Sequence, residues 1–309
     1  MLAPTSPTCP ARPLPRYLIG VDGGGSGTRA RVQTLHGQPV GEGSAGPSGL
    51  SQGIEQAWRH IGLAVTAAFA DAGLSLPSPA DCALSLALAG AERSSNRDAF
   101  LASDPGHALC LLENDALGAL RGAFSGRPGR VVAAGTGSVG AARWPDGTVR
   151  LLGGWGFPIG DEGSGAWLGV RAVQHAQAAM DGRAPSGPLA LAVWSHCGNT
   201  PPRLLDWSLG SGQRAYAQLA PLVFELAEQD PQAERLLQGA AHELSLLAQA
   251  LQPAGPSLPL VVYGSIGCRL ASRLPATLRQ HVVTADGDAM AGALLRLQTA
   301  LDEAAVPCR

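Results

Sequence analysis

The 309-residue sequence has few charged residues and no excess of either sign, since 15% of its residues are charged and the formal net charge is −2. A near-neutral chain lacks the basic surface that binds nucleic acid, so we expect no nucleic-acid partner. No apolar run is long enough to cross a membrane as a helix, so no membrane partner is expected either. The length is instead sufficient for about two globular domains.

The sequence also lacks the patterns of secreted and zinc-binding proteins. Its six cysteines are scattered without C-x-x-C spacing, and its histidines show no grouping typical of a metal site. Residues 1–16 are rich in proline and contain no apolar segment of the kind found in signal peptides. We therefore expect a disordered tail over residues 1–16, and a cytoplasmic protein with reduced thiols.

A glycine-rich turn stands out in the stretch YLIGVDGGGSGTRARV, residues 17–32. An apolar strand ends at Asp22, the turn follows at residues 23–27, and a second strand begins at Thr28. Glycines let backbone N–H groups approach a bound anion, and a carboxylate beside that anion favours a bridging divalent cation. The stretch therefore predicts a phosphate site with a metal ligand, formed by Gly23, Gly24, Gly25 and Ser26 with Asp22.

Two common phosphate motifs are excluded for this turn. It is not a P-loop, because no Gly-Lys-Ser/Thr follows, and it is not a dinucleotide fingerprint, because the next predicted element is a strand rather than a helix. The alternative is a tight β-hairpin without a ligand.

The order of predicted elements in the first part of the chain recurs once. Three strands lead into alternating helices and strands, and the same pattern restarts near residue 130 with a small-residue turn at 135–138. The repeat contains a helical insertion at 189–251 and ends with a short strand at 281–283 and a helix at 287–297. This duplication predicts two α/β lobes, with a hinge near residues 122–129 and two phosphate-binding turns facing each other across a cleft.

Four side chains allow more than one interpretation from the residues alone. Asp115 follows an apolar strand and is well placed to cap the next helix. Asp161 and Glu162 stand where a helix is predicted to open, and the helix dipole favours carboxylates there. Trp155, in a glycine-rich loop, could stack on a ligand or fill a gap in the core.

Five motifs, in this order, resemble the BadF/BadG/BcrA/BcrD ATPase family, and most closely its glucosamine and N-acetylglucosamine kinases. They are VDGGGSGTR, LALAGAE, NDALGA, AAGTGSVG and GGWGFPIGDEGSGAWLG, which begin at Val21, Leu86, Asn114, Ala133 and Gly153. The resemblance extends over residues 17–297. It implies an α/β, duplicated actin/hexokinase-like (ribonuclease H-like) two-lobe fold with a helical insertion in the second lobe. The lobes would be residues 17–125 and 126–309, with the last helix packing back on the first lobe.

The resemblance also implies roles for individual residues, with ATP and Mg²⁺ as cofactors. Asp115 falls on the catalytic base. Phosphate or nucleoside contacts fall on the first turn and on Gly135, Thr136, Gly137, Gly264 and Ser265. Sugar contacts fall on Asn114, Asp115, Ser138, Gly154, Trp155 and Asp161, while Glu92 is a candidate for a supporting role. Two positions depart from the family, since Gly49 and Val139 stand where asparagine is usual.

The activity implied is that of an ATP-dependent kinase for a small-molecule amino sugar, foremost a glucosamine kinase that forms glucosamine 6-phosphate. The first alternative is an N-acetylglucosamine kinase. Two others are an ATPase activator of a dehydratase, which would hold an iron–sulfur cluster through cysteines, and a sugar-sensing regulator with an added DNA-binding module. A homodimer is a further possibility that the sequence leaves open.

Overall fold

The computed structural model describes residues 14–305, and the predicted disordered tail lies outside the described residues except for its last three positions. Arg16, at the end of that segment, is part of the fold, because its N–H donates to the carbonyl oxygen of Asp81 at 2.7 Å. Within residues 14–305, every helix is too short or too polar to span a membrane.

The strands and helices alternate along most of the chain. The strands are β1 (Tyr17–Gly23), β2 (Thr28–Thr34), β3 (Pro39–Ala45), β4 (Cys82–Leu88), β5 (Leu109–Glu113), β6 (Gly129–Ala134), β7 (Ser138–Arg143), β8 (Val149–Gly153) and β9 (Leu260–Tyr263). The helices are α1 (Ile54–Asp71), α2 (Ser94–Ala102), α3 (Asp115–Ala123), α4 (Gly165–Met180), α5 (Pro188–Cys197), α6 (Pro201–Gly210), α7 (Gln213–Ala217), α8 (Ala220–Leu226), α9 (Pro231–Ala250), α10 (Ser265–Leu270), α11 (Ala276–Arg279) and α12 (Ala289–Ala305).

The chain forms two compact units. The first comprises the residues up to Gly122 and those from Gly287 onward, and the second comprises Ala123–Asp286. The predicted second lobe, residues 126–309, differs from this division because α12 groups with the first unit. The chain passes from the first unit to the second at the edge of the predicted hinge segment.

The first unit is built on a five-stranded sheet of order β3-β2-β1-β4-β5. β1 is antiparallel to β2 and parallel to β4, which is parallel to β5. The predicted apolar stripe of α1 packs on this sheet, with Ile61, Val65 and Phe69 among its buried residues. Because parallel strands end at the same edge, the first glycine turn and the loops after β4 and β5 leave the sheet on one side.

The last helix, α12, packs so closely on the first unit that backbone atoms of the two are in contact. A Cβ on Gly20 of β1 would lie 2.4 Å from the carbonyl oxygen of Met290, and a Cβ on Gly292 would lie 2.0 Å from that of Gly118 in α3. Only glycine allows so close an approach. α12 therefore holds β1 and α3, the two elements that carry the predicted metal ligand and catalytic base.

A buried carboxylate fixes the junction between β5 and α3. Glu113 is 6% exposed and forms an ion pair with Arg121 of α3, while Arg296 of α12 lies 3.8 Å away. A buried charge needs such partners, since losing one leaves an uncompensated charge. The pairing secures the strand end immediately before Asn114.

The second unit repeats the sheet of the first in shorter form, with order β8-β7-β6-β9. β6 is antiparallel to β7 and parallel to β9, as β1 is to β2 and β4. The family resemblance and the repeat predicted a duplicated α/β fold, and the two sheets confirm it. The predicted strand at 281–283 is wrong, because only Val282 forms a bridge, to Leu260. The N–H of His281, which would continue the pairing with β9, instead donates to the carbonyl oxygen of Leu278 at 2.9 Å, so the ladder does not extend in that direction.

The helical insertion of the second unit consists of several helices that pack together with α4. Helices α4 to α9 pack around a common core with β6 and β7. The predicted breaks at Pro201 and Pro231 are confirmed as the first residues of α6 and α9, a position where proline loses no hydrogen bond.

Candidate active site

The first glycine turn, residues 23–27, has its carbonyl groups tied to the protein. The oxygen of Gly24 accepts hydrogen bonds from the N–H groups of Ser48 and Gly49 at 3.2 and 3.1 Å, and that of Gly25 accepts from Gln52 Nε2 at 3.1 Å. The N–H of Gly24 closes the turn on the oxygen of Gly27 at 3.0 Å.

The remaining N–H groups of this turn are available to a ligand. Among the described residues, no acceptor pairs with the N–H of Gly25 or of Ser26. Two successive unpaired N–H groups form the kind of concavity that binds an anion. Gly23 is also required here, because a Cβ would lie 2.0 Å from Ser48 Oγ. The geometry supports the prediction of a phosphate site over the ligand-free hairpin.

The second turn, residues 135–138, repeats this arrangement between β6 and β7. The N–H of Gly135 closes the turn on the oxygen of Gly137 at 2.9 Å, as Gly24 does on Gly27. The carbonyl oxygens of Gly135 and Thr136 accept from the N–H groups of Gly165 and Ala166 at 2.8 and 3.1 Å. Within the described chain the N–H groups of Thr136 and Gly137 have no acceptor.

The start of α4 supports this second turn. The helix begins at Gly165, and Ser164 is its N-cap, with Oγ accepting from the N–H of Trp167 at 3.2 Å. The first N–H groups of a helix need partners outside it, and the carbonyls of the second turn supply two. The sequence placed Asp161 and Glu162 at the opening of this helix. They precede the N-cap, and the Asp161 carboxylate accepts from Ser138 and Gln213 and not from the N–H groups of the helix.

The predicted nucleoside turn lies against the end of β6. Gly264 has φ of 84°, and a Cβ there would lie 2.2 Å from the carbonyl oxygen of Ala134. Ser265 follows as the first residue of α10. Since Ala134 directly precedes the second glycine turn, the two predicted nucleotide-binding elements of this unit are adjacent.

Asn114 and Asp115 stand at the start of α3, where β5 ends. The N–H groups of Leu117 and Gly118 donate to the carbonyl oxygen of Asn114, so Asn114 is the N-cap residue and Asp115 is the first residue of the helix. Asn114 Oδ1 and Asp115 Oδ1 each lie 2.9 Å from the N–H of Ala116, and Asn114 Nδ2 donates to Glu92 Oε2 at 2.9 Å. The capping function is thus available without the Asp115 carboxylate.

The environment of Asp115 favours its protonated form. Burial raises the pKa of this half-buried carboxyl to about 6, and the negative charges of Asp22 and Glu92 add to the effect. A carboxylate with a pKa near the working pH is suited to accept a proton. The influence of Asp22 also places Asp115 within electrostatic reach of the first turn.

Asp22 is the predicted metal ligand. Its side chain is 25% exposed, and its Oδ2 accepts from Nη2 of the more exposed Arg29 at 2.6 Å. Among the described residues, no group of three or more potential ligands is assembled for a metal ion. Mg²⁺ is commonly held by one or two carboxylates together with phosphates and water, so a single carboxylate beside a phosphate turn fits it.

Asp161 is 5% exposed and holds a left-handed conformation, with φ of 64°. Its Oδ1 accepts from the N–H of Ser138 at 3.1 Å, and its Oδ2 accepts from Gln213 Nε2 at 2.6 Å. Burial raises the pKa of this carboxyl, and the charge of Glu162 adds to the shift. A Cβ on Gly137 would lie 2.8 Å from the Asp161 carboxylate, so the second turn and Asp161 are in direct contact.

The loop that precedes Asp161 is exposed. Trp155 and Ile159 are each 78% exposed, so Trp155 does not fill a gap in the core and is free to stack on a ligand. Gly154 has φ of 68°, and a Cβ there would lie 3.2 Å from Val139. Phe157 anchors the loop, with its ring 5.4 Å from that of Tyr216 in α7.

Comparison with known proteins agrees with this arrangement. The family model described as the BadF/BadG/BcrA/BcrD ATPase family matches residues 19–287. The chain belongs to this family. It is 36% identical over 280 residues to the glucosamine kinase of Vibrio cholerae, and this alignment covers 90% of the present chain and 95% of the Vibrio protein.

Two solved structures place this family member among sugar kinases of known fold. A candidate N-acetylglucosamine kinase from Chromobacterium violaceum is 43% identical, with a TM-score of 0.88 over 92% of this chain and all of that one. A ROK hexokinase from Thermus thermophilus has a TM-score of 0.51 over 93% of this chain and 99% of that one, at 20% identity, and so shows the fold alone. The actin/hexokinase-like fold expected from the sequence is confirmed.

The predicted site residues of this family member fall into two groups. The first unit carries Asp22, the first turn, Asn114 and Asp115, and the second carries the second turn, Ser138, Gly154, Trp155, Asp161, Gly264 and Ser265. Two supporting residues, Gln52 and Gln213, were missed. Neither belongs to a motif, and each reaches its partner from a distant position in the chain.

Proposed function

We propose that this protein is an ATP-dependent amino-sugar kinase that transfers the γ-phosphoryl group of ATP to the 6-hydroxyl of D-glucosamine. The products are glucosamine 6-phosphate and ADP. Membership of the ATPase family and the kinase relatives support the phosphoryl transfer. The observation that carries the proposal is the half-buried Asp115, whose pKa is raised to about 6 beside the charges of Asp22 and Glu92.

Phosphoryl transfer depends mainly on positioning and on neutralisation of charge. In this proposal the open N–H groups of Gly25, Ser26, Thr136 and Gly137 donate to phosphate oxygens, and Gly264 and Ser265 contact the nucleoside. Asp22 would hold Mg²⁺, which neutralises phosphate charge when bound. Asp115 accepts the proton of the sugar's 6-hydroxyl while the oxygen of that hydroxyl forms the new bond to the γ-phosphorus. The bond from the γ-phosphorus to the bridging oxygen breaks, and ADP leaves with its electron pair.

The sugar is proposed to contact Asn114, Asp115, Ser138, Gly154, Trp155 and Asp161. Ser138 Oγ already donates to the carbonyl oxygen of Glu162 at 2.7 Å, so its oxygen can act only as an acceptor toward the sugar. Carboxylates suit hydroxyl groups and an ammonium group. Gly49 and Val139 supply no side-chain hydrogen bond for an N-acetyl group, which favours glucosamine over N-acetylglucosamine.

A coupled assay of ADP release over a panel of hexoses tests this proposal. We expect kcat/KM for glucosamine to exceed that for N-acetylglucosamine and glucose, because only glucosamine offers an ammonium group to the site carboxylates. Higher kcat/KM for N-acetylglucosamine would favour the first alternative. ATP turnover without any sugar, together with a coloured protein, would point to a dehydratase activator.

The pH dependence of turnover tests the role of Asp115. The base must be ionised to accept a proton, so kcat/KM should fall as the pH decreases through about 6, the raised pKa of Asp115. Removing the nearby negative charge in Glu92→Gln lowers that pKa, so the acidic limb should move to lower pH. The measurement is kcat/KM from pH 5 to 8.

The exposed Glu55 in the same unit provides a matched control, Glu55→Gln, whose acidic limb should coincide with that of the wild type. Ionisation of the sugar itself is common to all three proteins and cancels in the comparison. An unchanged limb in Glu92→Gln would contradict the proposed coupling between the two carboxylates.

A further inference from the structure

A short helix of the insertion, α7, contacts the candidate sugar site from a part of the sequence that carries no motif. Its first residue, Gln213, donates through Nε2 to Asp161 Oδ2 at 2.6 Å. Its Tyr216 packs against Phe157 of the exposed loop that precedes Asp161. One five-residue helix therefore supports both ends of the segment that runs from that loop to Asp161.

α7 is itself held tightly in place. A Cβ on Gly169 of α4 would lie 1.9 Å from the carbonyl oxygen of Tyr216, and a Cβ on Gly165 would lie 3.3 Å from Ala217. The Tyr216 ring also lies 5.0 Å from that of Trp207 in α6. Because glycines allow this approach of backbones, the donor of Gln213 has a defined position relative to α4 and the second turn.

Asp161 needs such support. A left-handed backbone is unfavourable for a residue with a side chain and persists where its surroundings over-determine it. The carboxylate is also buried beside the charge of Glu162, which disfavours its ionised form. Donors on both oxygens, the Ser138 N–H and the Gln213 amide, favour the ionised form and restrict the rotation of the carboxylate.

We propose that Gln213 is a positioning residue that fixes the Asp161 carboxylate for the amino sugar, an inference that rests on the proposed function. Each carboxylate oxygen can accept about two hydrogen bonds. Gln213 and Ser138 take one place on each oxygen, which leaves acceptor capacity on both for hydroxyl or ammonium donors of the sugar. The carbonyl groups of Gly135 and Thr136 are held by the start of α4 and not by Gln213, so the loss of Gln213 should affect sugar binding more than ATP binding.

Two substitutions test this role in the full-length protein, with the amino sugar that the wild type phosphorylates. Gln213→Ala removes the donor and should raise KM for the sugar about tenfold, the usual effect of losing a hydrogen bond to a charged group. KM for ATP and the melting temperature should stay near the wild-type values. Calorimetric Kd values for the sugar should rise by the same factor.

Gln213→Glu places a second carboxylate against Asp161 and provides a readout that a purely structural role would not change. At pH 8 both groups are ionised and repel each other, so sugar affinity should fall by more than in Gln213→Ala. At pH 5 the pair can share a proton, which restores a donor, so the ratio of variant Kd to wild-type Kd should narrow. Gln218→Glu, an exposed position at the end of the same helix, should match the wild type at both pH values.

Wild-type sugar affinity in Gln213→Ala, or a Kd ratio for Gln213→Glu that does not change with pH, would overturn the inference and leave the proposed function standing. A wild-type protein that neither binds nor phosphorylates an amino sugar would overturn both. If Gln213→Ala lowers the melting temperature, the pH-dependent ratio of the Gln213→Glu variant still decides the question.

Discussion

Replacing Asp115 with asparagine should lower kcat by about 10²–10⁴, the usual contribution of a general base. Asparagine keeps the shape of the side chain but cannot accept the proton of the sugar hydroxyl. Folding should not suffer above pH 6, because burial already disfavours the ionised form of Asp115, as its raised pKa shows. The measurements are kcat from ADP release, the Kd of ATP from calorimetry, and the melting temperature.

The exposed Asp98 on α2 offers a matched control in the same unit. Asp98→Asn should keep wild-type kcat, and both variants should bind ATP as the wild type does. Asn114 provides the cap of α3, so a large loss of stability in Asp115→Asn would have no explanation in the capping of that helix. Wild-type kcat in Asp115→Asn would remove Asp115 from the mechanism.

Gly264→Ala should have the largest effect on nucleotide binding. The position has φ of 84°, and the added Cβ would lie 2.2 Å from the carbonyl oxygen of Ala134, so the backbone of the turn must move. A strained backbone position costs about 1–3 kcal/mol, and we expect a loss of that size in the free energy of unfolding. Since the turn adjoins the second glycine turn, the Kd of ATP should rise at least about tenfold.

Gly210→Ala is the control for this substitution. Gly210 ends α6 in the same unit, and a Cβ there would meet nothing within 4 Å. This variant should keep the wild-type Kd for ATP and the wild-type stability. Unchanged ATP affinity in Gly264→Ala would remove Gly264 from the proposed nucleoside site.

Much of the fold follows from local patterns. The apolar stripe of α1, the two strands β1 and β2 on either side of the first turn, and the prolines that start α6 and α9 all appear in the structure as predicted. These features depend on residues within a few positions of each other. The two glycine turns were also predicted from short motifs, although glycine is required at Gly23 and Gly137 because Ser48 and Asp161 approach closely from elsewhere in the chain.

The errors occur where adjacent residues could each form the same local hydrogen bond. The strand predicted at 281–283 is reduced to one bridge, because the N–H of His281 donates to Leu278 at the end of α11 and not to β9. Asn114 rather than Asp115 is the N-cap of α3, since the carbonyl oxygen of Asn114 accepts the first helical bonds. In both cases a backbone group had two possible hydrogen-bond arrangements within a few residues. The pattern of residue types does not show which of the two forms.

The sequence by itself determined the family, the repeated order of strands and helices, and the motif residues of the candidate site, because local spacing and residue type encode them. Only the tertiary structure decided which hydrogen-bonding groups of those residues are used within the protein and which remain open to a ligand. It ties the carbonyls of each glycine turn to segments such as 48–52 and the start of α4, leaving pairs of N–H groups open. It also brings Gln213 to Asp161 across 52 positions. Such pairings depend on how the chain packs on itself, which no local pattern records.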